Sequence, residues 1–156
     1  MGMSITLREY LDNQSVKYDL VHHPRTVTSM ETAAAAHIAG EKLAKSVMVE
    51  DEHGYMTVVI PSTHHLQFAT LREQLGHPFG LATEEEIRWL FDDCEVGSVP
   101  ALGQAYGLMV LVDETLLDQD EIYFEAGDHT ELVHVSGQDF EALMAHAGHG
   151  QFSRHV

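Results

Sequence analysis

Apolar and polar positions alternate most plainly in two neighbouring runs. In LAKSVMVE, Leu43, Lys45, Val47 and Val49 fall on one side of an extended chain, and Ala44, Ser46 and Met48 on the other. YMTVVI, Tyr55 to Ile60, follows after the turn signal DEHG, so the two runs predict a β-hairpin. KYDLVHH predicts a short strand, LMVLVDETL a further one, and EIYFEAGDHTELVHVS a second hairpin turning around Ala126 to Thr130.

Helical periodicity falls between these runs. Ser4 caps a first helix, Ile5 to about Asn13, with Leu7, Tyr10 and Leu11 on one side. Thr28 and Glu31 have capping-box spacing and open a helix through TAAAAHI, stopped by Gly40. HHLQFATLREQLG reads as a helix ended by Gly76. Thr83 and Glu86 repeat the capping-box spacing for a helix to about Phe91. CEVGSVPALGQAYG is irregular and punctuated by glycine. Ser136 caps a last helix, about Gln138 to His146, and the tail from about 147 to 156 is expected to fray. Helices and strands mix without strict βαβ alternation. The expected fold class is α+β: a mixed, mostly antiparallel curled sheet or partly open barrel flanked by helices.

Composition narrows this picture. The 156 residues are 44% hydrophobic, enough for one domain spanning 1–156 with a core that needs no staple. The single cysteine, Cys94, rules out an internal disulfide framework and fits a reducing compartment. Neither a membrane-spanning stretch nor a secretory leader pattern is present, so a cytoplasmic protein is expected. The formal charge of −17 disfavours a broad grip on a phosphate backbone, and hence on DNA, but leaves room for contact with one nucleotide end.

Candidate chemistry is sparse. Twelve histidines are present, yet none has a Cys or carboxylate partner at ligand spacing, so no metal and no cofactor are expected. Cys94 lies between acidic neighbours that disfavour a thiolate. Neither a serine-hydrolase elbow nor a phosphate-binding glycine motif appears. Two features stand out. Lys45 projects from the same face as three aliphatic side chains, where an unpaired ammonium is costly to bury. In GSVPALG, Gly97, Pro100 and Gly103 shape a loop whose unpaired N–H groups could bind a carbonyl oxygen or oxyanion, although composition alone favours an ordinary strand-to-strand connection.

The ordered set HPRTVTSMETAAAAH, GEKLAKSVMV, VVIPSTHHLQF, LATEEEIRWLFDDCEVGSVPALGQAYGLMVLVDETL and FEAGDHTELVHVS resembles the YbaK family. Its members are editing domains related to the insertion domain of bacterial prolyl-tRNA synthetase. The resemblance covers about His22 to Leu143. It implies a free-standing deacylase that hydrolyses the ester of mischarged tRNA, carrying a small amino acid such as Ala, Cys or Ser on tRNA-Pro. The family lysine falls on Lys45 and the family glycine loop begins at Gly97. Lys45, Gly97 and Ser98 are thereby the implied catalytic residues. Thr28, Val99, Pro100 and His129 are the implied substrate-binding residues. The family's loop proline falls on Ala101. The implied partner is an aminoacyl-tRNA acceptor end, with a synthetase or elongation factor as the candidate that delivers it. The alternative is a non-catalytic nucleotide or aminoacyl-ester binding module on the same fold.

Overall fold

The computed structural model describes residues 2–156. Helix α1 (Ile5–Asn13) starts at Ser4, whose hydroxyl accepts from the Leu7 N–H, and buries Leu7 and Leu11. Strand β1 (Asp19–His22) and helix α2 (Ser29–Ala35) follow, the latter opened by the Thr28–Glu31 capping box. Then come the hairpin β2 (Leu43–Asp51) and β3 (Gly54–Pro61), β4 (His64–Leu66), α3 (Phe68–Leu75), β5 (Gly80–Leu81) and α4 (Glu84–Leu90). The second half holds β6 (Met109–Asp113), α5 (Glu114–Leu117), β7 (Glu121–Glu125), β8 (Glu131–Ser136), α6 (Gly137–Leu143), β9 (Gly148–Gly150) and β10 (Ser153–His155).

The main sheet runs β1-β8-β7-β2-β3-β6-β9, with β5 added to β2, and β10 and β4 form a separate ribbon. The sheet is mixed and open. The hairpins are antiparallel, whereas β2–β7, β3–β6 and β6–β9 are parallel. One face packs Val59, Val112, Ile122, Phe124 and Val133 against Leu7, Leu11 and Phe140 of α1 and α6. The other packs Val49, Met56, Val58 and Ile60 against Leu71 of α3 and Phe152. Lys45 opposes Ile60, and Val47 opposes Val58, so the lysine shares the second face with that apolar cluster. This is the mixed α+β architecture that the alternation predicts.

Four local expectations change. Helix α2 ends at Ala35, short of Gly40, because His37 takes φ 58° and turns Ile38 back onto Ala33, Leu43 and Leu132. The run from His64 begins as strand β4 rather than helix, since its partner is β10 at the far end of the chain. Asp113 ends β6 and caps α5, accepting from the Thr115 N–H. The tail does not fray: β9 pairs β6, β10 pairs β4, and Phe152 is buried between them.

That last point predicts a measurable cost. Phe152→Ala should destabilise the fold by about 3–5 kcal/mol in chemical denaturation. A loss below about 1 kcal/mol would mean that the C-terminal segment does not contribute to the core.

Candidate active site

The site arises where the sheet parts. Strand β2 pairs with β7 only at Leu43↔Tyr123 and Ala44↔Phe124. Further along the same edge it pairs with β5, at Val49↔Leu81 and Glu50↔Gly80. Between these contacts the edge of β2 at Lys45 to Val47 has no strand beside it. The loop after α4 occupies the space. A cavity of about 140 Å³ remains, lined by Ser29, Lys45, Ser46, Met48, Ile87, Gly97, Val99 and Glu125.

Several contacts pin the loop. Asp93 accepts from the Ser4 hydroxyl at 2.8 Å, the Thr6 N–H at 3.0 Å and the Tyr106 hydroxyl at 2.6 Å. Burial opposes its charge, but these donors win and hold the carboxyl well below the usual range. The Glu95 N–H donates to the Gly127 carbonyl at 2.8 Å, and the Glu95 carboxylate accepts from the His129 N–H at 3.0 Å. Ser46 donates to the Pro100 carbonyl at 3.0 Å, tying the loop to β2. The Ser98 hydroxyl and N–H both donate to the Glu95 carbonyl, at 2.8 and 3.1 Å.

Gly97 sits at φ +88°, a conformation that L side chains rarely adopt, and an added Cβ would lie 3.2 Å from the His129 ring. His129 Nε2–H donates to the Val96 carbonyl at 2.7 Å, which fixes that ring behind the loop. The Gly97 and Val99 N–H groups donate to no other described residue. A tight loop with two free donors beside a cavity is equipped to hold a carbonyl oxygen that gains negative charge.

Two ionisable side chains enter the cavity. Lys45 is half-buried, forms no ion pair among the described residues, and has its ammonium pKa pulled down by burial. It also borders a second cavity of about 290 Å³, shared with Met30, Ser62, Thr63, His65 and His155. Lys45 thus stands between two hollows. Glu125, at the end of β7, is 8% exposed, and its Oε2 has no hydrogen-bond partner among the described residues. Burial pushes its carboxyl up to about 8, and the negative charge of Asp128 adds to the shift.

The structure brings Lys45, Gly97 and Val99 to one cavity. It does not bring the other expected residues to that lining. Ser98 is fully buried with its hydroxyl committed to Glu95. The Thr28 hydroxyl caps α2, and its neighbour Ser29 faces the cavity instead. Pro100 contributes its carbonyl to Ser46, and His129 braces the loop from behind. Cys94 is buried, with its thiol pushed up to about 12 by burial, which leaves it unreactive. Among the described residues, no three His, Cys, Asp or Glu converge as metal ligands. Another hollow of about 290 Å³ lies near β6 and β9, lined by Tyr10, Leu108, Met109 and Leu143 with Gln104 and His146. It offers no pair of opposite charges and no comparable loop. Glu125, Ser29 and Ser46 are the polar lining groups that sequence reasoning missed, beside the apolar Met48 and Ile87.

Residues 23–143 match the family described as the aminoacyl-tRNA editing domain. The chain belongs to that family. The editing domain is 26% identical over 117 residues to a proline–tRNA ligase of Geobacillus sp. (strain WCH70). That match takes in 74% of this chain and 20% of the ligase, so the chain spans about a fifth of the length of its curated relative. Two solved structures share its fold. The hypothetical protein APE2540 superposes with TM-score 0.84 at 24% identity, over 96% of this chain and 99% of that one. A protein proposed as a trans-editing enzyme for prolyl tRNA synthetase gives 0.82 at 24% identity, over 96% and 95%.

Two outcomes follow for stability. Gly97→Ala should lower stability by about 1–2 kcal/mol from the positive φ alone, measured by denaturation, and a neutral effect would contradict the loop geometry. Glu125 binds its proton more tightly folded than unfolded, since its ordinary value is 4.5. Its stabilising contribution is therefore complete below about pH 4.5 and lost as pH rises through about 8. Glu125→Gln should gain stability over wild type between pH 5 and pH 9, by on the order of a few kcal/mol. A difference that stays flat with pH would show that the carboxyl is not buried as described.

Proposed function

We propose that this editing domain is an aminoacyl-tRNA deacylase acting in trans, hydrolysing the ester between a mischarged small amino acid and the terminal adenosine of a tRNA. The observation that carries the reading is one cavity edged by an unpaired lysine and by a glycine loop with free N–H donors. Membership of the family supports the reaction class. The Geobacillus relative supports tRNA-Pro as the tRNA. A cavity of about 140 Å³ is compatible with a small aminoacyl group such as alanyl, cysteinyl or seryl.

The reaction asks little of the protein. Water adds to the ester carbonyl, the bond to the ribose oxygen breaks, and the released hydroxyl takes up the proton. The ester is already activated, so the protein's task is to position it and to stabilise charge on the carbonyl oxygen. In this reading the Gly97 and Val99 N–H groups meet that oxygen. Lys45, between the two cavities, meets a phosphate of the terminal nucleotide. Only the acceptor end has to enter, so a −17 surface is compatible with a tRNA substrate. A synthetase or elongation factor is the candidate that delivers it.

A panel of mischarged tRNAs tests the reading. At least one alanyl-, cysteinyl- or seryl-tRNA should be cleared well above the buffer rate. Lys45→Ala should lower kcat/KM on it by about 10- to 100-fold, the worth of a hydrogen bond to a charged group. Tight binding of an uncleavable aminoacyl-adenosine without turnover of any ester would instead identify a non-catalytic binding module.

A further inference from the structure

Among the described residues, the Glu125 carboxyl has no hydrogen-bond or ion-pair partner. Its Oε2 is buried without a hydrogen bond, and no ion pair links the carboxyl to Lys45, although both line the same cavity. The register Ala44↔Phe124, continued by one residue, sets these two side chains on one face where the strands part. A buried carboxyl that bonds to nothing is costly, and an apolar residue would suit the fold better. The carboxyl is therefore available to a ligand that enters the cavity.

We propose that Glu125 is the receptor for the α-ammonium group of the aminoacyl substrate. This rests on the deacylase reading for the identity of the ligand. The cavity then has two poles and a centre. Lys45 takes the anionic nucleotide side, the Gly97 loop takes the carbonyl, and Glu125 takes the cationic amine. The selectivity this gives is for the charged amine common to all aminoacyl esters, against N-blocked esters and peptidyl ends.

The electrostatics agree. Among the lining groups only Lys45 and Glu125 are ionisable, and Asp128, on the same hairpin, is the carboxylate whose field reaches Glu125. With its carboxyl raised to about 8, Glu125 is largely protonated near neutral pH when the cavity is empty. An incoming ammonium supplies the missing partner and draws the carboxyl into its charged form. One proton then leaves to solvent for each amine bound.

The test compares uncleavable amide-linked aminoacyl-adenosine with its N-acetylated form, by calorimetry at pH 7 in buffers of different ionisation enthalpy. Wild type should bind the free amine about 10- to 100-fold more tightly than the N-acetyl form and release close to one proton. Glu125→Gln should bring the ratio towards one and abolish the proton release, and Glu125→Asp should restore part of both. Equal binding of the two forms by wild type, or no binding of either, would overturn the assignment. The same pair of tRNA esters gives a kinetic version. A matching fall of kcat on both esters in Glu125→Gln would make Glu125 a general base and also overturn it. Because the binding arm needs no turnover, absence of deacylation would sink the deacylase reading while leaving Glu125 separately judged.

Discussion

Strands β2 and β7 stay together for only two residue pairs, and the site depends on that brevity. A longer ladder would bring Lys45 and Glu125 into the sheet as neighbours and close the gap between them. The strands separate instead. The edge of β2 is left to a loop rather than to another strand, and the Ser46 hydroxyl on the Pro100 carbonyl holds that loop in place. The loop's Gly97 lies in the left-handed region, and a side chain there would meet the His129 ring packed behind it rather than the sheet edge.

The gap also explains charges in an otherwise apolar setting. Lys45 shares a face with Val47, Val58 and Ile60, and Glu125 ends a strand whose Ile122 and Phe124 are core. Neither ionised form is favoured by burial, and both pKa values move towards neutrality for that reason. Such a pair contributes nothing to the stability of the empty fold at neutral pH. In the proposed reading the pair is preorganised for a ligand bearing both signs of charge. The surrounding network of Asp93, Ser4, Tyr106 and Glu95 is of the opposite kind: fully hydrogen-bonded, and committed to holding the loop.

Much of the fold was legible in the sequence because its signals are local. Capping boxes at Thr28 and Thr83, the Ser4 and Ser136 caps, and the two hairpin turns all act within a few residues. What the sequence hid depends on partners far away. Strand β4 exists because β10 pairs with it, and helix α2 stops early because Ile38 turns back onto Leu43 and Leu132. The site divides in the same way. Lys45 stood out as a charge on an apolar face, and the Gly97 loop as a glycine-shaped turn. Glu125 gave no signal, since period-two alternation places it opposite Ile122 and Phe124, where a carboxylate normally meets water. Only the register between β2 and β7 reveals that this face is covered. His129, implied as a substrate contact by the resemblance alone, bonds the Val96 carbonyl and is not among the residues that line the cavity.

The proposed binding place for an aminoacyl end is the break between β2 and β7. A crystal structure with an uncleavable aminoacyl-adenosine bound tests this most directly. The predicted result places the aminoacyl carbonyl oxygen within hydrogen-bond reach of the Gly97 and Val99 N–H groups, with the nucleotide side at Lys45. A ligand seated instead in the hollow between Tyr10, Met109 and Leu143, with the Lys45 cavity empty, would contradict it.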